Sequence, residues 1–483
     1  MPGLPRGRPD RLSAAAMRYN RAETIDEARR ILRLAWPIML TSLNWTLMHF
    51  IDVAVVGHFS TDQLAALAAS RALTFISIVA GLAVLSGVLV FASRADGAGR
   101  LEETGDIMRS GLAFGFGFGT ATMIALLLWA EPMLRTIGVD RSLVAPGAAI
   151  VRAMALAFPF QFVIAASSYF LEGISRPRRV MAVNLIMLPF NGLLAWAWVG
   201  GHLGLPARGA VGAASATATV SAAGAVLILV LCWTLPGAAR WGVRDWSAAA
   251  MRRALAWVPR LAWFGLVPGV AATLELAGFS WLMALSTQLG VIAAAAFQAM
   301  LTIHNLAFAM SMGLGSAAGV RVGNAVGAGE RDQAWPRALI AGGLTIALLG
   351  ALSILFVAGA RIAVMPFSYD PRVIALAASM LAIVASVVVF DGLQYVFFAA
   401  LRSLGDQVWA GIIDILCFFL VMGGLGWLLV RDGWGPIGLA YAAAAGMVSA
   451  GLLQFARLAW VLRARSGKVV TGFPDQLRGE QES

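Results

Sequence analysis

Charge is what this sequence has least of. Of its 483 residues only 13% are Asp, Glu, Lys or Arg, against 60% hydrophobic, and the mean hydropathy is +0.80. A chain of this size with so few charges cannot solvate the surface of a soluble globule, which excludes an ordinary water-soluble enzyme or binding module. Cysteine is nearly as scarce. Cys232 and Cys417 both fall inside apolar runs, where a thiol behaves as a small hydrophobe, so neither a disulfide framework nor a cysteine metal site is expected. The first 32 residues carry many arginines but no apolar core of a secretory signal, and Asp10, Glu23, Asp26 and Glu27 speak against a transit peptide. Clustered Asp pairs for Mg²⁺-diphosphate and metal-binding His motifs are absent too, so the chemistry of a membrane enzyme such as a prenyl transferase has no residues to run on.

Long apolar runs are what the sequence has instead. About twelve of them reach the roughly 20 residues that a helix needs to cross a bilayer. Their cores are 34–56, 64–92, 108–130, 144–171, 180–203, 210–235, 261–286, 291–320, 338–365, 373–401, 408–430 and 437–462. An all-α integral membrane protein is therefore expected. The net charge of +11 is topology rather than a nucleic-acid surface, because the arginines fall in alternate loops. One set of loops holds Arg94, Arg100 and Arg109; Arg176, Arg178 and Arg179; five arginines in 240–260; Arg321, Arg331 and Arg337; and Arg402, with Arg463, Arg465 and Lys468 in the tail. The other set holds only Arg135, Arg141, Arg208, Arg361, Arg372 and Arg431. Positive residues collect on the inner side, so both termini are expected in the cytoplasm.

The chain also repeats itself. Arg33-Leu34-Ala35-Trp36 returns as Arg260-Leu261-Ala262-Trp263, and ASRADGAGR at 92–100 resembles VGNAVGAGER at 322–331. EGISRPRRV at 172–180 lines up with RSLGDQVWA at 402–410, and VSAAGAVL at 220–227 with VSAGLL at 448–453. All four pairs share an offset of about 227–230 residues, which predicts two copies of six helices. Six is even, so both copies enter from the same side as parallel repeats, an architecture suited to a transporter that rocks two bundles about a central cavity. The expected organisation is an N-terminal segment 1–32, lobes 33–235 and 260–463 arranged as a V, a linker 236–259 and a tail 464–483.

Against that apolar background the ionisable groups stand out: Asp52, Glu275, Asp391, Asp414, Arg71, Arg152, Arg457, His49 and His304. A charge at bilayer depth costs a few kcal/mol or more, so each faces a bundle interior or a wet cavity and is a functional candidate, the alternative being a structural hydrogen bond between helices. Glu275 is flanked at helical spacing by Ala271, Ala272, Gly278 and Phe279, a face of small side chains, two turns after Pro268 and Gly269. Asp391 shares a stripe with Gln394, Tyr395, Phe398 and Arg402, groups that suit a metal cation or an organic cation. Two carboxylates in one low-dielectric cavity tend to share a proton or a cation, which would let an ion and a cationic cargo compete. His49, one turn before Asp52 beside Trp45, either tunes a proton site or packs as a neutral structural histidine.

With these residues in place, the sequence resembles the multidrug and toxic compound extrusion (MATE) family, in its NorM-like branch. The segments that carry the likeness are WPIMLTSLNWTLMHFIDVAVVGHFSTDQLAALA, RGAVGAASAT, FQAMLTIHNLAFAMSMGLGSAAGVRVGNAVGAGE and FDGLQYVFFAALRSLGD, within residues 30–463. The resemblance implies export of amphipathic, often cationic and aromatic compounds, driven by inward Na⁺ or H⁺, with no other cofactor and no nucleic acid, by a monomer in the lipid bilayer. It implies cation coupling at Glu275, Asp391 and Asp52, with Na⁺ on Glu275 and Asp391 in the sodium-driven case. It further implies secondary cation or substrate contacts at Asn191, Tyr395, Gln394, Phe279, Gln298, Asn305 and His49. The chain departs from the family pattern at Ala195, where many members carry a second Asn or Asp, and at Val387, where some carry Tyr. A lipid or lipid-linked glycan flippase of the same superfamily is the rival reading; its cavity would be basic to meet phosphates.

Overall fold

The computed structural model describes residues 21–464. The rest of the expected terminal segments, with Arg465 and Lys468, lies outside the described residues.

Every apolar run becomes a helix or a broken helix. The spans are α1 Arg21–Phe59, α2 Thr61–Gly97, α3 Leu101–Ile137, α4 Arg141–Ala155 with Phe158–Gly173, α5 Pro177–Gly200 and α6 Gly209–Trp233. They continue as α7 Ala248–Gln288, α8 Val291–Gly327, α9 Arg331–Ala358, α10 Pro371–Ser403, α11 Gln407–Arg431 and α12 Gly435–Ala464. Eleven described helices are long and apolar enough to cross a membrane, or 12 when the two pieces of α4 count as one span.

The breaks have local causes. The two pieces of α4 meet at 47° where Pro159 opens the second piece. A proline there lacks the N–H for an intrahelical bond, and its ring would crowd the carbonyl of Ala155. Within α11, Ile415–Met422 is wound as a π-helix that begins directly after Asp414.

The described chain forms two compact units, one of residues 36–277, the other of residues 21–35 and 278–464. In the first, α3 presents Gly111, Gly115 and Gly119 at i, i+4 and i+8. A Cβ on Gly115 would stand 2.9 Å from the Phe162 carbonyl oxygen, and one on Gly119 would stand 2.7 Å from Pro159 Cα. Without side chains at Gly115 and Gly119 α3 lies directly on the α4 backbone, and Gly111 makes room for Val88 of α2, the small-residue packing that substitutes in lipid for a hydrophobic driving force. Around this contact Leu85, Leu126, Val151, Phe158 and Phe162 form a core, and Val56, Leu67, Ile150 and Val199 form another. In the second unit α10 is the central helix, packed on α8, α9 and α12. Its core is built from Leu282, Phe297, Met300, Leu349, Met380 and Phe418.

Candidate functional site

Each unit buries its own acidic cluster. In the first, Asp52 of α1 is buried and holds hydrogen bonds from two other helices. Asn191 Nδ2 on α5 donates to Asp52 Oδ1 at 2.9 Å, and Thr217 Oγ1 on α6 lies 3.2 Å from Asp52 Oδ2 and 3.2 Å from Asn191 Oδ1. One hydroxyl proton cannot serve both acceptors, so the triangle keeps an unfilled hydrogen-bonding capacity that a proton or cation can take up. Ala195, one turn past Asn191, is fully buried. The second polar partner of Asp52 is thus supplied by Thr217 on α6, not by a second side chain on α5.

A cavity of about 40 Å³ adjoins this triangle, lined by Trp45, His49, Asp52, Arg71, Gln161 and Thr217 among others. His49 packs edge-on against Trp45, its Nε2 is buried without a hydrogen-bond partner, and so is Gln161 Oε1. Arg71 Nη2 donates to the His49 carbonyl at 3.4 Å, which brings a cation into the same cavity as Asp52. At this volume the cavity suits water or a small ion rather than an intact organic cargo.

In the second unit Asp391 and Gln394 are buried one turn apart on α10. Among the described residues Asp391 Oδ2 accepts no hydrogen bond. Gln394 Nε2 instead donates to Asp414 of α11 at 2.9 Å, and Gln454 Nε2 of α12 donates to the same Oδ1 at 2.9 Å and to the Ala410 carbonyl at 2.8 Å. The amide oxygens of both glutamines are buried and unpartnered. Two buried carboxylates with adjacent spare amide oxygens form an oxygen-rich site, with Arg402 near enough to act on Asp414, and such oxygens can hold a hard cation or a proton. Among the described residues no three His, Cys, Asp or Glu side chains are arranged to hold a metal ion, so a Na⁺ here would complete its shell from amide, hydroxyl or carbonyl oxygens.

The other sequence candidates spread more widely. Phe279 stacks on His304 at 6.0 Å and lies 6.2 Å from Phe418, while Tyr395 sits edge-on to Phe308 at 5.4 Å and packs against Gly315. Gln298 and Asn305 are exposed on α8, Gln298 reaching Thr302 at 3.4 Å. Glu275 is half-buried on α7 and belongs to the first unit, whereas Asp391 belongs to the second. Thr217, Gln161 and Gln454 were not singled out from the sequence. A Thr or Gln at bilayer depth raises no charge signal, and only convergence of helices far apart in the chain reveals it.

The MatE family model matches residues 37–197 and again 270–428, once in each half of the chain. A probable multidrug resistance protein NorM of Caulobacter vibrioides is 31% identical over 444 residues, covering 89% of this chain and 91% of that protein. Its counterpart in Bradyrhizobium diazoefficiens is 28% identical over 442 residues, covering 89% and 92%. The Vibrio cholerae MATE transporter VcmN, known as a crystal structure of a mutant, superposes with a TM-score of 0.82 at 17% identity, over 92% of this chain and 99% of that one. At that identity the likeness speaks for the fold.

Proposed function

The chain belongs to the MATE family, and from that premise we propose that it exports amphipathic, often cationic and aromatic compounds in exchange for inward Na⁺ or H⁺. It is a multi-pass membrane transporter, and family membership makes small organic molecules its cargo. Export proceeds by alternating access, in a monomer residing in the bacterial inner membrane with both termini cytoplasmic. Coupling rests on Asp391 in one unit and, in the other, on Glu275 and on Asp52 with Asn191 and Thr217. Phe279, Tyr395, Gln394, Gln298, Asn305 and His49 contact cargo or ion.

The observation that carries this reading is Asp391: a buried carboxylate, one oxygen without a hydrogen bond, on the central helix of its unit. An acid in that state binds a cation or a proton readily and releases it when water or a cationic group arrives. Everted membrane vesicles loaded by drug uptake test the reading. An imposed Na⁺ gradient or an imposed pH gradient should drive uptake, and Asp391→Asn and Glu275→Gln should each abolish the driven component at normal expression. Full uptake by both variants overturns it.

A further inference from the structure

At the arginine-rich end of the first unit lies a second cavity, of about 350 Å³, with no part in the acidic clusters. It opens between α3, α4, α6 and the start of α7, and Met108, Leu112, Phe116, Leu229, Trp233 and Met251 line it. Along α3 it runs from Met108 to Phe116, about 12 Å at 1.5 Å per residue. Phe116, Trp233 and Trp246 are exposed at its edge. Its one charged lining residue, Arg109, is already engaged: it pairs with Asp106 and donates to the Gly242 carbonyl at 2.5 Å. The interior therefore offers apolar contact and almost no hydrogen bonding, which suits a hydrocarbon chain better than a polar solute.

The rim has the opposite character. Arg244 Nε donates to the Trp233 carbonyl at 3.1 Å, and its guanidinium sits 6.0 Å from the Trp233 ring, at the mouth of the cavity. Of the nearby acids, Asp106 pairs with Arg109 and Arg253 and Asp245 with Arg253, while the exposed Glu102 has its backbone against Gly242. Among the described residues Arg244 has no carboxylate partner, and Arg240 and Arg252 are exposed in the same stretch. An apolar slot with tryptophans at its edge and Arg244 beside Trp233 matches a lipid whose chain goes in and whose phosphate stays out. A cationic amphiphile is disfavoured at the same rim by like charge.

We propose that this cavity takes one acyl chain of an anionic membrane phospholipid and that Arg244 holds the phosphate. The site is separate from the coupling acids, and it rests on the transporter reading only for the chain's residence in a bilayer. The test is native mass spectrometry of the full-length protein, purified in detergent with phosphatidylglycerol or phosphatidylcholine. The wild type should retain one phosphatidylglycerol in preference to phosphatidylcholine. Arg244→Gln should lower phosphatidylglycerol retention roughly fivefold, the contribution of one arginine beside an anionic headgroup, and lower phosphatidylcholine, whose choline offsets the phosphate charge, by less. Met251→Trp, which fills the cavity and leaves the rim intact, should lower retention of both lipids. Both variants should stay monodisperse by size exclusion, and added phosphatidylglycerol should raise the melting temperature of the wild type more than that of either variant. Equal retention of the two lipids, an Arg244→Gln variant that binds like wild type, or a Met251→Trp variant that keeps its phosphatidylglycerol overturns the proposal. So does stoichiometric displacement of the lipid by tetraphenylphosphonium, which would make the cavity a cargo site.

Discussion

Asn191 donates to Asp52 across 139 residues of chain, Nδ2 to Oδ1 at 2.9 Å, and that bond ties α5 to α1 at a point where both side chains are buried. Removing the donor leaves a buried carboxylate short of a partner, a loss of about 1–3 kcal/mol. Asn191→Ala should therefore lower the melting temperature measurably and reduce drug efflux. Thr217→Val, which keeps the shape and deletes only the hydroxyl, should cost less, about 1 kcal/mol. Thermal unfolding of both variants with efflux at matched expression checks the order. Equal stability of Asn191→Ala and wild type would sink the idea that this bond holds the site.

In the second unit, Asp414 is the hub where Gln394 and Gln454 meet. The amide oxygens of both glutamines are unpartnered, so an amide at position 414 could donate to either of them after a flip. Asp414→Asn should fold with a melting temperature close to wild type, whereas Asp414→Leu, which takes the acceptor from Gln394 Nε2 and leaves Gln454 Nε2 only the Ala410 carbonyl, should be clearly destabilised. If Asp414 also belongs to the coupling machinery, Asp414→Asn should alter the pH dependence of efflux while leaving stability intact. Parallel unfolding curves and efflux profiles between pH 6 and 8 separate the two roles.

The twelve spans were legible because each needs only apolar length, and the bilayer leaves a helix as the one backbone solution for such a run. Asp52, Asp391 and Glu275 were legible for the complementary reason: an acid in an oily segment is conspicuous. What the sequence concealed was convergence. The polar character of Gln454 and Thr217 was visible, but their roles come from where α12 and α6 lie against α11 and α1, which no local pattern encodes. The π-helical stretch Ile415–Met422 was hidden as well, since ILCFFLVM reads as plain spanning helix and the winding changes only in its hydrogen bonding. The start of α7 at Ala248 came earlier than its apolar core suggested, because Ser247 caps it through the Ala250 N–H at 3.2 Å.

Glu27 lies ahead of the apolar part of α1, and its carboxylate grips Arg321 of α8 in two parallel bonds of 2.6 and 2.7 Å, both side chains largely buried. Arg337 of α9 stands 3.9 Å from the same carboxylate and donates to the Arg321 carbonyl at 2.9 Å. Deleting the acid strands Arg321, while Arg337 keeps Glu330, whose carboxylate lies 3.5 Å from its Nη2. Glu27→Gln should destabilise the second unit by about 3 kcal/mol or more, whereas the double variant Glu27→Leu with Arg321→Leu should recover part of that loss. A double-mutant cycle in thermal unfolding measures it, and a single variant no less stable than the double would contradict the argument.

The last expectation concerns pH, at the turn that carries Arg244. Asp245 lies in the loop ahead of α7, where the Ser247 hydroxyl and the Ser247 backbone N–H, at 3.1 Å from Oδ1, hold its carboxyl below the usual carboxylate range, with Arg109 and Arg253 adding to the effect. A group whose folded pKa is depressed contributes stability that is fully present above its unfolded value, about 3.9, and is lost as pH falls through the folded value. The turn should therefore stay equally ordered from pH 8 down to about 5 and loosen only in stronger acid, below about 4. Hydrogen exchange of residues 243–253, corrected for intrinsic rates, should show flat protection across the first range and a drop in the second. Asp245→Asn should lose that acid transition and exchange faster at neutral pH. A drop in wild-type protection already at pH 6 would mean that some other group governs the turn, and Arg244 would then owe its position to contacts other than the Asp245 cap.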